Sequence, residues 1–182
     1  MRREIWSFDS QVSTPKTPNK TGAGSASERS ETLLRLHLES NPEALCLVRA
    51  TLQRAAEVLQ FQEHDTRAIV RSVDEALANV IRHAYGGQKG QPIVVSCNRL
   101  RKGEKPEDPV GLEIILADSG EALDPGKLKS RSLQEIRPGG LGLHFIKESM
   151  DVVEFSRKEG QNFLRLVKYP TPSKAEKNEK GD

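Results

Sequence analysis

The sequence lacks a long apolar run and is poor in aromatic residues, which limits the classes of protein it can encode. Only 4% of its 182 residues are aromatic and 35% are hydrophobic. No apolar segment reaches the roughly 20 residues that a membrane-spanning helix needs. The N-terminus, Met1–Trp6, also lacks the apolar stretch of a signal peptide. We therefore expect a cytoplasmic protein with no membrane partner.

The sequence also lacks a CxxC pair and an excess of either charge. Its two cysteines, Cys46 and Cys97, lie in apolar segments, so we predict two buried free thiols in a reducing cytosol. Its 28 basic and 26 acidic residues give a net charge of +2. Nucleic-acid-binding surfaces need a clustered basic excess, so we expect no direct nucleic-acid partner.

Both ends of the chain lack the apolar residues that a folded core requires. Residues 1–30 are rich in Ser, Thr, Pro, Gly and Lys, and residues 171–182 have a similar composition. Such segments bury too little apolar surface to offset the entropy of ordering the chain. We therefore predict two disordered tails, 1–30 and 171–182, around a single folded domain at 31–170.

The middle of the chain does contain apolar periodicity, of two kinds. Alternation at every second position predicts strands, and apolar steps of three and four predict helices. These patterns predict strands at Leu33–Leu38, Pro92–Asn98, Val110–Ala117, Asp151–Arg157 and Asn162–Lys168, and helices from Asn41 to Leu59, from Asp65 to Gly86 and after Pro138. The predicted fold class is α+β, a two-layer sandwich of a mixed, mainly antiparallel sheet with helices on one face.

Glu75 and Asn79 lie one turn apart in the second predicted helix, so both side chains project from one face. The carboxylate can take a proton, and the amide oxygen can ligate a hard cation. An amphipathic helix also places polar residues on its solvated face. This pair alone therefore leaves open a simple solvent-facing stripe.

Two further motifs follow in order along the chain. Asp118 ends an apolar strand, where its carboxylate could accept a hydrogen bond from an exocyclic amine, and Gly120 would leave room for a flat base. The glycines of Gly139–Gly142 open the third predicted helix, whose free N–H groups and positive dipole favour an anion. Each motif alone is equally typical of an ordinary turn at a strand end or before a helix.

Together these three motifs resemble the N, G1 and G2 boxes of the GHKL ATPase superfamily, the nucleotide fold of gyrase, Hsp90, histidine kinases and MutL. Glu75–Tyr85 looks like the N box of the small serine-protein kinases that act as bacterial anti-sigma factors. Gly139–Lys147 looks like their second glycine box, and Gly160–Leu166 is similar to their final strand. The resemblance covers roughly residues 32–168 and implies the Bergerat (GHKL) ATP-binding fold.

The resemblance implies a Mg-ATP pocket and a role for each matched residue. Asn79 would ligate Mg²⁺, and Glu75 would be the general base for a serine or threonine hydroxyl of a partner protein. Asp118 would hold the adenine amine and Gly120 would line the base. The other nucleotide-binding residues would be Gly139, Gly140, Leu141 and Gly142, and Glu121–Pro138 would be the ATP lid.

The implied function is an ATP-dependent serine/threonine protein kinase that acts as an anti-sigma factor in transcription regulation. Its partners would be a STAS-type anti-anti-sigma protein, which it phosphorylates, and a sigma factor, which it sequesters; the family often forms homodimers. Ala122 stands where many members have a further glycine, which leaves open a nucleotide-dependent binding switch without kinase activity. A histidine-kinase catalytic domain would need a dimerisation helix pair with a phosphoacceptor His, and residues 1–30 are too short and polar to supply it.

Overall fold

The computed structural model describes residues 28–106, 108–122 and 141–172. It contains the five strands and three helices that the sequence predicts. They are strand β1 (Glu28–Glu39), helix α1 (Ala44–Val58), helix α2 (Glu63–Asn79) with a π-helical turn after it (Val80–Ala84), strands β2 (Pro92–Lys102) and β3 (Val110–Asp118), helix α3 (Leu141–Ser149), and strands β4 (Val152–Lys158) and β5 (Gln161–Lys168). No helix in the described ranges is long and apolar enough to span a membrane.

The five strands form one sheet in the order β1-β2-β3-β5-β4, and all four neighbouring pairs are antiparallel. The predicted α+β sandwich is confirmed, but the mixed character of its sheet is not. Strand β4 follows β3 through helix α3 and runs in the same direction as β3. It lies at the sheet edge, however, and β5 turns back to pair between the two, so no parallel pair forms.

The core lies between the helices and one face of the sheet. Helix α1 buries the residues at its three- and four-residue steps, and α2 does the same with a longer stripe. The facing sheet positions are every second residue of the central strands. The fully buried members of this core include Val48, Leu52, Ile69, Val73, Leu77, Ile93, Val95, Ile114, Leu116, Ile146 and Leu166. Each such side chain contributes about 1.5–3 kcal/mol by leaving water.

Two tight turns use backbone conformations with positive φ. Helix α2 and its π-helical turn end before Gly86 and Gly87, whose φ values are 58° and 80°, where the sequence predicted the helix to stop. The β4–β5 hairpin turns at Glu159 and Gly160, with φ values of 52° and 83°. Positive φ at both central residues matches the right-handed twist of the flanking strands.

Two predictions about individual segments need correction. Cys97 is buried as expected, and burial raises the pKa of its thiol to about 12. Cys46 is exposed, because it lies on the side of α1 opposite the buried Val48. Strand β1 begins at Glu28, inside the segment predicted as a tail, because its first residues pair with the end of β2 through hydrogen bonds that composition does not reveal.

The sheet face opposite the helices carries a buried carboxylate. Glu113 is 2% exposed and accepts hydrogen bonds from Arg165 Nε at 2.6 Å, Ser30 Oγ at 2.8 Å and Asn98 Nδ2 at 2.9 Å. Arg165 also contacts Glu154 at 3.1 Å. Burial opposes ionisation of Glu113, but these donors outweigh it and hold the pKa of the carboxyl below its ordinary value.

Candidate functional site

Helix α2 presents Glu75 and Asn79 on the face that approaches helix α3. Both side chains are half-buried, so they do not form the fully solvated stripe that amphipathicity alone would allow. Among the described residues, none forms a hydrogen bond or an ion pair with either side chain. The carboxylate of Glu75 and the amide of Asn79 therefore offer oxygens without described partners on the same face of helix α2.

Asp118 lies at the end of β3 and is 7% exposed. Its Oδ1 accepts hydrogen bonds from Gly120 N at 2.9 Å and from Asn162 Nδ2 at 2.8 Å. No donor in the described part of the chain reaches Oδ2. The carboxylate is thus fixed by one oxygen and retains the other as an acceptor, which suits recognition of an amine.

The loop after Asp118 is fastened to the end of helix α2 by Tyr85. The phenol donates to Pro92 O at 2.5 Å and accepts from Ser119 N at 2.9 Å. Burial raises the pKa of Tyr85; the hydrogen bond from Ser119 acts against this, and the negative charge of Asp118 adds to it. Tyr85 therefore stays neutral near pH 7 and can serve both partners at once.

The π-helical turn brings a carbonyl to the same loop. Here Tyr85 N donates to Val80 O at 3.0 Å, which is the five-residue spacing of a π-helix, and Glu121 N donates to Ala84 O at 2.9 Å. A Cβ on Gly120 would lie 2.5 Å from that carbonyl oxygen. The close approach to Ala84 therefore requires glycine at 120, and the predicted role of Gly120 in lining a base stays a prediction.

Asn162 and Arg157, from the β4–β5 hairpin, hold this loop from the other side. The Asn162 side chain is buried and donates to Asp118, and also to Glu121 O at 3.0 Å. Arg157 donates to Asn162 Oδ1 at 2.5 Å and to Gly120 O at 3.2 Å. After the adenine base that Asp118 is predicted to bind, we call Asp118–Glu121, Tyr85 and Asn162 the base side of the site.

Gly142, in the first turn of helix α3, lies directly against the Glu75 carboxylate. A Cβ built on Gly142 would overlap with Glu75 Oε1 and come within 2.5 Å of Cγ. The structure thus brings together two residues that the sequence separates by more than sixty positions. After the group that these residues are predicted to meet, we call Glu75, Asn79 and Gly142 the phosphate side of the site.

Other predicted site residues lie wholly or partly outside the described residues. Gly139 and Gly140 fall in the gap before helix α3, as does almost all of the predicted lid, Glu121–Pro138. Leu141 begins helix α3, and only its backbone is described. The roles of these residues therefore stay predictions.

The described residues fit a Mg-ATP ligand on two counts. The buried Asp118 carboxylate keeps one oxygen to which no described residue donates, and at Gly142 only backbone faces Glu75. No group of three or more His, Cys, Asp or Glu side chains within the described ranges could hold a metal ion.

Sequence reasoning missed Tyr85, Arg157 and Asn162 as site residues. Each holds Asp118 or the loop after it through hydrogen bonds, and none lies in the three boxes as a predicted ligand. The sequence places Asn162 only in the closing strand, because its position opposite Asp118 depends on the register between β3 and β5, which the sequence alone does not record.

Residues 38–168 match the family model described as the histidine kinase-like ATPase domain, and the chain belongs to that family. This confirms the resemblance to the GHKL superfamily that the three boxes predicted. The serine-protein kinase RsbW of Bacillus pumilus is 26% identical over 136 residues, which cover 70% of this chain and 80% of that protein. The serine/threonine-protein kinase BtrW of Bordetella bronchiseptica is 32% identical over 103 residues, 54% of this chain and 67% of that protein.

A solved structure supports the fold. The RsbU and RsbW domains of a Mycobacterium tuberculosis protein give a TM-score of 0.52 at 17% identity. The match covers 77% of this chain and 34% of that longer chain. At this identity the likeness establishes the α+β architecture and nothing about activity.

Proposed function

We propose that this chain is a protein kinase that transfers the γ-phosphoryl group of ATP to a serine or threonine hydroxyl of a STAS-type anti-anti-sigma partner, and that it sequesters a sigma factor. One observation carries the catalytic part of the proposal. The Glu75 carboxylate, which has no partner among the described residues, shares a helix face with Asn79 and lies against Gly142 at the start of helix α3. Similarity to proteins named as serine-protein kinases supports the same activity.

Mg-ATP, when bound, supplies the phosphoryl group and a cation that neutralises the charge developing on the phosphates. Asp118 would accept a hydrogen bond from the exocyclic amine of adenine through Oδ2. Asn79 would offer its amide oxygen to the cation, and the positive end of the α3 dipole would face the phosphates. These groups orient the reactants, which supplies much of the rate in phosphoryl transfer.

Glu75 would act on the incoming hydroxyl of the partner protein. As the hydroxyl oxygen forms its bond to the γ-phosphorus, the bond from that phosphorus to the bridging oxygen breaks and ADP leaves. The hydroxyl proton passes to a Glu75 carboxylate oxygen. A positioned base of this kind contributes about 10²–10⁴-fold to a rate.

A radiolabel experiment tests the assignment. The wild type, with Mg-ATP labelled at the γ-phosphate and a cognate antagonist, should produce labelled phosphoserine or phosphothreonine. Glu75→Ala should lower the rate by about 10²–10⁴-fold while nucleotide affinity changes little. Glu63→Ala is the matched control, because Glu63 lies on the same helix with its side chain 83% exposed. Normal transfer by Glu75→Ala would contradict the catalytic role.

A nucleotide-dependent binding switch is the alternative, and Ala122 motivates it, because many family members have a further glycine at this position. The same experiment separates the two functions. A wild type that binds ADP and ATP but labels no antagonist supports the switch, and labelled phosphoserine on any partner excludes it.

The proposed partners need tests of their own. A sigma factor should co-elute with this chain in the presence of nucleotide and be released when unphosphorylated antagonist is added. Sedimentation of the free chain tests the homodimer that the resemblance implies.

A further inference from the structure

Arg71 lies on the face of the Phe145 ring. It precedes Glu75 by four residues in helix α2, so the two side chains project from the same face of the helix. The guanidinium carbon is 4.2 Å from the ring centroid of Phe145 in helix α3, well within the range of a cation–π contact. A cation one turn away from the candidate base is therefore engaged by the neighbouring helix.

The same spacing joins acidic side chains to an arginine or a histidine elsewhere in these helices. In α2 itself, Arg67 Nη1 lies 3.5 Å from Glu63 Oε1, and in α3, His144 Nε2 lies 3.1 Å from Glu148 Oε1. Arg71 and Glu75 have this spacing too, yet no ion pair joins them. The contact with Phe145 accounts for the difference, because it holds the guanidinium over a ring about one turn further along α3 than Gly142, against which Glu75 lies.

The other described charges near Glu75 are committed to other partners. Asp74, the preceding residue, pairs with Arg49 of helix α1 at 2.5 Å, on another side of α2. In α3, His144 and Glu148 pair with each other, and Lys147 also has a partner. Arg71 is therefore the charge whose position decides whether the Glu75 carboxylate is free.

We propose that Phe145 is a positioning residue that holds Arg71 away from Glu75 and so keeps the carboxylate free to accept the proton of the substrate hydroxyl. The proposal rests on the phosphotransfer function proposed above. An Arg71–Glu75 ion pair would occupy a carboxylate oxygen with a guanidinium donor and make that oxygen a weaker proton acceptor. Phe145 thus affects the rate of phosphotransfer by fixing the position of Arg71, and it does not touch the reacting atoms.

Four forms of the chain test this proposal: wild type, Phe145→Met, Arg71→Gln and the double variant. Methionine keeps the apolar volume and removes the ring face. Phe145→Met should slow single-turnover phosphotransfer about ten-fold, a part of what general-base catalysis supplies, with the nucleotide Kd unchanged. Arg71→Gln should transfer at the wild-type rate, and the double variant should recover that rate because no cation remains to pair with Glu75.

The rescue separates this role from simple packing. A double variant as slow as Phe145→Met would show that the ring acts by filling space, and a slow Arg71→Gln would show that Arg71 itself serves the reaction. Either result overturns the proposal. Arg67→Gln, one turn earlier on α2, is the matched control for loss of an arginine.

A second readout needs no catalysis and therefore separates failure of this inference from failure of the kinase function. Arginine side-chain NMR of the nucleotide-free chain reports the environment of Arg71 Nε–H. In Phe145→Met, hydrogen exchange at this group should slow through pairing with Glu75, and Glu75→Gln in the same background should reverse the change. Exchange that is identical in wild type and Phe145→Met would overturn the proposal, whatever the kinase assay shows.

Discussion

At the base side, three consecutive backbone amides, those of Ser119, Gly120 and Glu121, each donate a hydrogen bond to the surrounding fold. At the phosphate side, no described residue hydrogen-bonds to the side chains of Glu75 and Asn79. A buried polar group without a hydrogen-bond partner lowers the stability of the fold. The half-buried carboxylate and amide therefore need contact with water or with a ligand. We therefore infer that the base side completes its hydrogen bonds within the protein, and that the phosphate side would gain partners only when nucleotide binds.

The difference also shows in the two glycines. Gly120 abuts the backbone of Ala84, which cannot move without disturbing the end of helix α2, whereas Gly142 abuts the flexible end of Glu75. One half of the site is thus rigid framework, and the other can rearrange around a reacting group. The predictions that follow would break or sharpen this division, starting with the largest effect.

Asp118→Asn should have the largest effect on nucleotide binding. It replaces an ionised acceptor by an amide, and a hydrogen bond to a charged group is worth about 1.5–3 kcal/mol. We expect ADP affinity to fall about a hundred-fold in a calorimetric titration. Asp74→Asn is the control, since Asp74 pairs with Arg49 away from the site, and it should bind ADP like wild type. Unchanged ADP affinity in Asp118→Asn would contradict the prediction that Asp118 binds the adenine base.

Gly120→Ala and Gly142→Ala form a matched pair. A Cβ at 120 meets backbone and should cost about 2 kcal/mol of unfolding free energy, measured by urea denaturation. A Cβ at 142 meets a carboxylate that can swing aside, so stability should change by less than about 0.5 kcal/mol while phosphotransfer slows because Glu75 is displaced. Equal losses of stability would refute the contrast between the two halves.

Glu113→Gln should lower stability and leave nucleotide binding unchanged, because this carboxylate lies on the opposite face of the sheet. We expect a loss of about 1.5 kcal/mol at pH 7, from weaker hydrogen bonds to Arg165 and its neighbours. Since the pKa of Glu113 is lowered in the folded state, its contribution is present above the ordinary glutamate pKa and disappears as pH falls through the folded value. The stability gap between the variant and wild type should therefore narrow in acid, and a gap that widens would contradict this sign.

Asn162→Ala should weaken ADP binding about ten-fold, the cost of one hydrogen bond to a carboxylate. The substitution removes the Asn162 amide that donates to Asp118 Oδ1. It leaves Asp118 Oδ2, the predicted acceptor for the adenine amine, in place. Asn41→Ala serves as the control in the same titration, because the Asn41 side chain accepts only a local hydrogen bond, from Glu43 N in the turn before helix α1. An affinity equal to wild type would mean that Gly120 N alone is sufficient to hold Asp118.

The sequence predicted the elements of this fold because apolar periodicity is local. It also predicted the order of the three boxes, because each box is a short motif that is contiguous in the sequence. It did not predict that the sheet is antiparallel throughout, since that depends on β5 pairing between β3 and β4. It also missed the Asp118–Asn162 contact, which joins residues on separate strands, and the stacking of Arg71 on Phe145. These features arise from tertiary register, which no spacing in one strand or helix records.

Amide hydrogen exchange, measured with and without Mg-ATP, tests the central claim most directly. The account predicts that Ser119, Gly120 and Glu121 are protected before nucleotide is added, because each amide already has an acceptor. It also predicts that the first turn of helix α3, at Leu141–Leu143, gains protection only when Mg-ATP binds. Protection that is unchanged by Mg-ATP in both regions, or that rises equally in both, would contradict a nucleotide site with a preformed base side.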